Sequence, residues 1–463
     1  MVRLLHYSDI ENVYDTPERA GRLAGLLSEL DGPDALVIGS GDDTSPGVLP
    51  LVAKGRQAID FFEAAGVDVE TFGNHDFDYG PAATRELVAA SPVTWVSANV
   101  YDADGNRFAG EEGAVPHAVF EVGDRRVGDR RVGVFGVTDP ATASLNPEAS
   151  ALEFTDPIPE AREAIDALRA RGVDQIVAVS HLGAEDRELA RLDVDVVLGG
   201  HVHSERIDRL NGTVLTRPGV NGHVVLEVEL PADGSDPTVT RHAVENGNPI
   251  PAPLDEGLVA ALQRRRSVAD LGEEVTRVDG QLPRDAETVH GGECAIGNFV
   301  ADAYRTASGA DVGLQNSGGI RPGEPIEGTV TLADLISLVP FEEPVVTVRL
   351  TGAELREAFR QLSATEVNFG EDHWWHGHLS GASVVFDADR DTLIEATVDG
   401  VPLDDSTTYT LATTEYVLHS DQEFPAITQR HRTGEHGIQH EVLASYARER
   451  GIDADLEGRI CRK

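Results

Sequence analysis

Gly73-Asn74-His75-Asp76-Phe77-Asp78 follows Val67 to Phe72, a stretch that alternates Val with acidic residues and ends in Phe, and its reading decides the fold. An amide and an imidazole side by side in a glycine-led turn can offer a neutral oxygen ligand and a proton donor to one spot. Turns of the same character recur on either side, each at the end of an apolar run. Ser8-Asp9-Ile10-Glu11 closes Val2 to Tyr7, and Ser40-Gly41-Asp42-Asp43 closes Ala35 to Gly39. Downstream, His181 ends Val177 to Ser180, and His201 and His203 follow Val196-Val197-Leu198-Gly199-Gly200.

These runs predict strands. Helical stretches lie between them, from Pro17 to Leu30 and from near Leu51 to Ala65, and more strands are expected at Val93 to Ala98, Val132 to Val137, Gln175 to Ser180 and Asp195 to Leu198. Such alternation predicts an α/β layered sheet. Ligand-type residues at the strand ends stand where sites in open α/β sheets lie. One Asp after a strand is ordinarily a turn or helix cap, and an isolated His-x-His ordinarily faces solvent. Five strand ends, each bearing a carboxylate, amide or imidazole, exceed what caps explain. The mixed oxygen and nitrogen set suits divalent ions such as Mn2+, Fe, Zn2+ or Co2+ better than Mg2+ or Ca2+.

The chain has 463 residues, too many for one ordinary core, so two or three domains are expected. Its 80 Asp and Glu outnumber 38 Lys and Arg, for a net charge of -42, and Lys54 and Lys463 are its lysines. The acid is dispersed rather than gathered in a tail. It reads as a surface adapted to molar salt, where short screening lengths remove self-repulsion, and an extreme halophile is the expected source. The same balance argues against general nucleic-acid or anionic-membrane binding. Met1 to His6 runs straight into a strand, and no apolar stretch approaches the ~20 residues of a membrane span. Cys294 and Cys461 have no metal-ligand spacing, and a reduced cytoplasm is the expected setting.

Asn246 to Pro253 is rich in turn formers and marks the clearest boundary. The expected organisation is a first domain over 1–246, a connector with a helix from Leu254 to about Leu271 over 247–272, and a second domain over 273–463. The latter has its own apolar segments, such as Val345 to Leu350 and Tyr409 to Thr413. The repeated Val-Gly-Asp-Arg-Arg at 122–126 and 127–131 reads as a lengthened hairpin.

Over roughly residues 1 to 245 the spacing resembles the calcineurin-like metallophosphoesterases, which implies a layered αββα fold holding two divalent ions. By that resemblance Asp9, His203 and the residue at position 11 hold one ion, Asp42 bridges both, and Asn74, His181 and His201 hold the second. It further implies in-line attack on phosphorus by a hydroxide between the ions. His75 would protonate the leaving oxygen, with Asp78 orienting its ring. One position departs: where the family usually has D-x-H, this chain has Asp9-Ile10-Glu11.

Further on, Cys294 to Ala303 reads as a helix opened by Gly297-Asn298, and Asn316-Ser317-Gly318-Gly319-Ile320-Arg321 as a glycine loop ending in a guanidinium. With Leu338-Val339-Pro340-Phe341 and Leu350 to Leu355, this order resembles the C-terminal domain of the 5′-nucleotidase family over roughly 270 to 425. That family includes bacterial UDP-sugar hydrolases and animal ecto-5′-nucleotidases. The resemblance implies a smaller α/β domain in which Asn316 and Arg321 contact a nucleotide and Phe341 and Tyr416 clamp its base. His290 stands where the family has an arginine. Asp421 stands in for a ribose-contacting aspartate, in a segment that lacks the usual G-G-D-G turn. Asp372 to His378, with adjacent tryptophans, is expected to pack as a loop beside the Ser380-Gly381 turn.

The combined expectation is a metal-dependent hydrolase of nucleoside phosphates, most simply a 5′-nucleotidase with a small-molecule nucleotide substrate. Two alternatives stand beside it. One is a phosphodiesterase or pyrophosphatase for cyclic nucleotides or nucleotide sugars; the other is a nucleotide-binding regulatory protein without turnover.

Overall fold

The computed structural model describes residues 1–463 except 124–129, 234, 246–251, 364, 368–373 and 421. The chain forms two compact units, Met1–Ala269 and Asp270–Lys463.

The first unit is built on two six-stranded sheets. One runs in the order Thr238–Ala243, Val224–Leu230, Val2–Tyr7, Ala35–Gly39, Val69–Glu70, Thr94–Trp95; the last four strands are parallel. The other runs Arg206–Leu210, Thr213–Arg217, Val196–Gly199, Gln175–His181, Arg130–Thr138, His117–Val122, with its four inner strands parallel. Because side chains alternate along a strand, these apolar runs serve two cores at once. Leu4, Leu36, Ile38, Val177, Val179 and Leu198 meet between the sheets. Leu5, Tyr7 and Val37 face the helices Pro17–Leu30 and Gln57–Ala65, while Ile176, Ala178 and Val197 face the helix Pro157–Ala170. The result is the expected αββα layering, with strands buried on both faces.

Several details differ from the sequence reading; the strands expected over Val67 to Phe72 and Val93 to Ala98 shorten to Val69–Glu70 and Thr94–Trp95. The stretch expected as one helix near Leu51 to Ala65 is two, Val48–Ala53 and Gln57–Ala65. Lys54 and Gly55 between them take left-handed backbone (φ 53° and 77°), which an α-helix does not accommodate. The connector helix is Glu256–Val268, and it packs within the first unit through Leu258 and Leu262, with Arg265 paired to Asp60 at 2.7 Å. The repeat expected as a hairpin lies partly outside the described residues; its flanking strands, His117–Val122 and Arg130–Thr138, pair antiparallel.

The second unit centres on a five-stranded sheet in the order Gly377–Ser380, Val312–Asn316, Thr408–Thr414, Pro344–Thr351, Arg432–Ile438. A four-stranded sheet and a two-stranded ribbon accompany it. The helices Ala295–Ser308, Leu332–Leu338 and Gln439–Arg450 share one core, and Gly352–Arg360 contributes to another. Gly297 lies so close to the His378 ring that a Cβ there would come within 2.1 Å of it, so that helix can approach only as glycine. Among the described residues no helix is long and apolar enough to cross a membrane.

Candidate metal and catalytic site

The parallel strands of the first unit deliver their carboxyl ends to one place. Asp9, Asp42 and Asn74 come from one sheet, and His181 and His201 from the other. The turns between them depart from ordinary backbone. Asp9, Glu11, Asp42 and His201 all sit at positive φ (49°, 41°, 56° and 70°), which costs a non-glycine residue of order 1 kcal/mol or more. Gly73 is needed for contact: a Cβ on it would lie 2.2 Å from Asp42 Oδ1.

Asp76 clamps the two turns of the first sheet together. Its buried carboxylate accepts from the backbone N–H groups of Asp42 (3.0 Å), Gly73 (2.8 Å) and Thr44 (3.2 Å), and from Thr44 Oγ1 (2.6 Å). His75 N–H donates to Asp42 Oδ1 at 2.7 Å. Across the sheets, His181 Nε2 lies 3.0 Å from Asp42 Oδ2, and its Nδ1 donates to the Ser40 carbonyl at 2.8 Å. The His201 N–H donates to both Asp9 oxygens, at 3.1 and 3.2 Å. His203 Nε2 is 3.1 Å from Glu11 Oε1 and 4.0 Å from Asp9 Oδ1. Glu11 therefore points into the site.

Two donor sets emerge, Asp42–His181–His201 and Glu11–Asp42–His75, each with ligand atoms within 4.8 Å of one another. Asp42 is common to both. Metal chemistry fits on a further count. Asn74 Oδ1 is buried and has no hydrogen-bond partner among the described residues, although such an atom normally finds one. Asp9, Glu11, Asp42, Asp43, Glu70 and Asp76 are all buried nearby. Without cations or protons, so many carboxylates in one place would repel strongly.

Electrostatics among these side chains reflect that crowding. Burial pushes Asp9 and Asp76 up to about 6. Burial also opposes ionisation of Asp42, but His181 and His75 outweigh it and hold Asp42 below the usual carboxylate range. On His181 burial opposes the charge, yet Asp42 beside it lifts the imidazole to about 10. Burial and then the charge on His181 push His201 down to about 3. An ion held by His181 would have to displace its proton, since only neutral imidazole ligates.

His75 stands at the edge of this cluster, with its side chain 21% exposed. Its Nδ1 is 3.1 Å from each Asp78 oxygen, which turns Nε2 the other way. Asp78 is itself fixed by Ser45 Oγ at 2.7 Å and Asn146 Nδ2 at 2.9 Å.

Several residues of the site went unread in the sequence. Asp139 follows the strand Arg130–Thr138, as Asp9 and Asp42 follow theirs; its N–H donates to the His181 carbonyl at 3.1 Å and its Oδ2 is 3.5 Å from His201 Nε2. Asp186 and Arg217 form a buried pair at 2.9 Å, and Ser180 Oγ donates to Asp186 at 2.6 Å, bracing the turn after His181. Glu70 gave a signal, a carboxylate in a stretch read as a buried strand; it ends the short strand Val69–Glu70, is fully buried and accepts from Tyr7 Oη.

In the second unit Asn316 ends a central strand. Its Nδ2 donates to the buried Glu423 at 3.0 Å, and His376 Nδ1 is 3.4 Å from the other Glu423 oxygen. The Arg321 guanidinium lies 5.5 Å from the Phe341 ring centre. Tyr416 is half-buried at the edge of the core containing Trp375 and Phe424. His290 stacks on Trp374 at 3.9 Å and 16°, and Trp375 is fully buried with its indole N–H on the Gly377 carbonyl at 2.6 Å. Asp421, Asp372 and His373 lie outside the described residues.

Comparison with known proteins agrees with this architecture. The trifunctional nucleotide phosphoesterase protein of Bacillus subtilis (strain 168) is 24% identical over 99% of this chain and 34% of its own length. The 5′-nucleotidase of Bos taurus is 27% identical over 77% of this chain and 68% of its own. The chain spans about a third of the length of the Bacillus subtilis relatives it matches. The 5′-nucleotidase precursor from Thermus thermophilus shares the fold, with a TM-score of 0.82 at 24% identity, covering 100% of this chain and 99% of that one. Two family models match in sequence order: calcineurin-like phosphoesterase over residues 2–205, and 5′-nucleotidase, C-terminal domain, over 274–429. The chain thus belongs to the calcineurin-like metallophosphoesterases that carry a 5′-nucleotidase C-terminal domain.

Proposed function

We propose that this protein is a metal-dependent phosphoesterase acting on nucleoside phosphates, most simply as a 5′-nucleotidase. The observation that carries the proposal is the Asp42–His181–His201 donor set, with a buried, unpartnered Asn74 Oδ1 in the turn whose His75 N–H bonds Asp42 and whose His75–Asp78 pair stands at the edge. Divalent ions held by Asp9, Glu11, Asp42, Asn74, His181, His201 and His203 would activate water and neutralise charge on the phosphoryl group.

The remaining roles fall to the chain itself. With the His75 ring protonated on both nitrogens, Asp78 accepts from Nδ1 and leaves the proton of Nε2 as the one to donate, the ring ending neutral. That proton goes to the leaving oxygen as the ester bond breaks, which avoids expelling an alkoxide. The partial exposure of His75 suits contact with a substrate, whereas a purely structural histidine here would be enclosed. In the second unit Asn316, Arg321, Phe341 and Tyr416 would take the nucleoside, with the Phe341 ring stacking on the base. The dispersed acid and net charge of -42 support a further reading, that the protein works in concentrated salt.

The test is a substrate panel of 5′- and 3′-mononucleotides, cyclic nucleotides and nucleotide sugars, run in molar KCl with Mn2+, Zn2+ or Co2+. Preference for 5′-mononucleotides supports the proposal; hydrolysis confined to diesters would replace it. Phe341→Ala should raise KM for nucleotides far more than for a generic aryl phosphate, and equal effects on both would remove the stacking role.

A further inference from the structure

Glu11 is the point at which this chain leaves its family's D-x-H pattern, and the fold does not treat it as idle. Its side chain is 4% exposed and its backbone is left-handed. Its carboxylate lies 3.1 Å from His203 Nε2, and it has an oxygen within 4.8 Å of donor atoms of Asp42 and His75. A buried carboxylate held in disfavoured backbone and aimed at a ligand cluster adds an anionic oxygen where an imidazole nitrogen would otherwise stand.

The consequence is a difference between the two halves of the site. With His75 left to Asp78, the set around Glu11 is Asp9, Glu11, Asp42 and His203, three carboxylates and one imidazole. Asp42, Asn74, His181 and His201 present one carboxylate, one neutral amide oxygen and two imidazoles. Oxygen-rich, anionic sets suit harder ions such as Mn2+ and Mg2+, while imidazole-rich sets suit Zn2+. We infer that the two ion positions are unequal, with Glu11 making the position near Asp9 and His203 selective for a hard ion such as Mn2+ and the position near His181 and His201 taking Zn2+. This inference rests on the metal-dependent reading above.

Stripped protein loaded with Mn2+ and titrated with Zn2+ tests it, with free Mn2+ followed by electron paramagnetic resonance and bound metal by elemental analysis. The wild type should release its two equivalents of Mn2+ in two phases, the second needing at least about tenfold more Zn2+. Glu11→His should merge the phases. Glu11→Gln, which keeps the shape and removes the charge, should lose the tightly retained Mn2+. Thermal unfolding of each variant reports whether it folds, and the two-phase release of the wild type stands as a test without any variant. Single-phase release from the wild type, or identical curves for wild type and Glu11→His, would overturn the inference and leave metal-dependent catalysis standing. Failure of the wild type to bind any Mn2+ or Zn2+ would overturn both.

Discussion

His75 Nδ1 is equidistant, at 3.1 Å, from both carboxylate oxygens of Asp78, three residues along the same turn. The imidazole is thereby held in one orientation by a partner that is itself anchored. His75→Ala should lower kcat on nucleoside monophosphates by about 10²- to 10⁴-fold, with bound metal near the wild-type level by elemental analysis. Asp78→Asn should lower kcat by about 10- to 100-fold. Unchanged kcat in His75→Ala would remove the proton-donor role.

Asp76 joins the Asp42 and Gly73 turns through four hydrogen bonds to one carboxylate. Asp76→Ala leaves three buried N–H donors without an acceptor, and a lost bond to a charged group is worth about 1.5–3 kcal/mol. Urea unfolding should show a loss of at least about 2 kcal/mol, and metal affinity should fall with it. A variant of wild-type stability that binds metal normally would show that the clamp is dispensable.

Removing metal should destabilise the first unit, because it leaves the carboxylate cluster uncompensated. Chelation should lower Tm, and Mn2+ at about 100 times its Kd should restore about 2.7 kcal/mol. Identical melting with and without chelator would contradict the site.

Acid should weaken the fold through His6. It is fully buried between Thr216 Oγ1 and Ser40 Oγ, both at 2.9 Å, and burial followed by the nearby Arg217 pushes it from 6.5 down to about 3. The folded state thus favours the neutral ring. Above pH 6.5 His6 is neutral folded or unfolded and contributes no slope. As pH falls from 6.5 towards 3 the unfolded chain takes up a proton that the folded one refuses, costing about 1.4 kcal/mol per unit. His6→Gln should flatten the stability profile across that window in chelated protein; an unaltered slope would mean that other groups govern it.

Salt should act in the opposite direction to its usual effect on surface ion pairs. Raising KCl from about 0.1 to 1 M shortens the screening length from about 10 to 3 Å, which relieves repulsion among the excess acids. The urea midpoint of the chelated protein should rise over that range, and a flat or falling midpoint would count against salt adaptation.

The layered fold was legible because its strands are apolar on both faces and end in polar turns. Val2–Tyr7, Ala35–Gly39 and the helix Pro17–Leu30 have the limits the pattern implies. The positions of Asn74, His75 and Asp78 in one turn could likewise be read locally. What escaped was non-local. Asp139 obeys the same strand-end rule as Asp42, yet only the pairing of Arg130–Thr138 with Gln175–His181 shows that it reaches His201. The stack of His290 on Trp374 joins residues far apart in sequence, and no periodicity encodes it. Asp76 looked like one more acid in an acidic chain, because its role depends on three N–H groups whose directions a sequence does not carry.

The left-handed backbone shared by Asp9, Glu11, Asp42 and His201 has one more implication. At each position glycine would be the more comfortable tenant for the backbone, so an engineer relieving strain in the metal-free protein would be led to erase, one by one, the side chains that the proposed ions need. Strain relief and ion-linked stability would oppose each other at these four residues, and a screen run on metal-free protein would return a sturdier, empty shell.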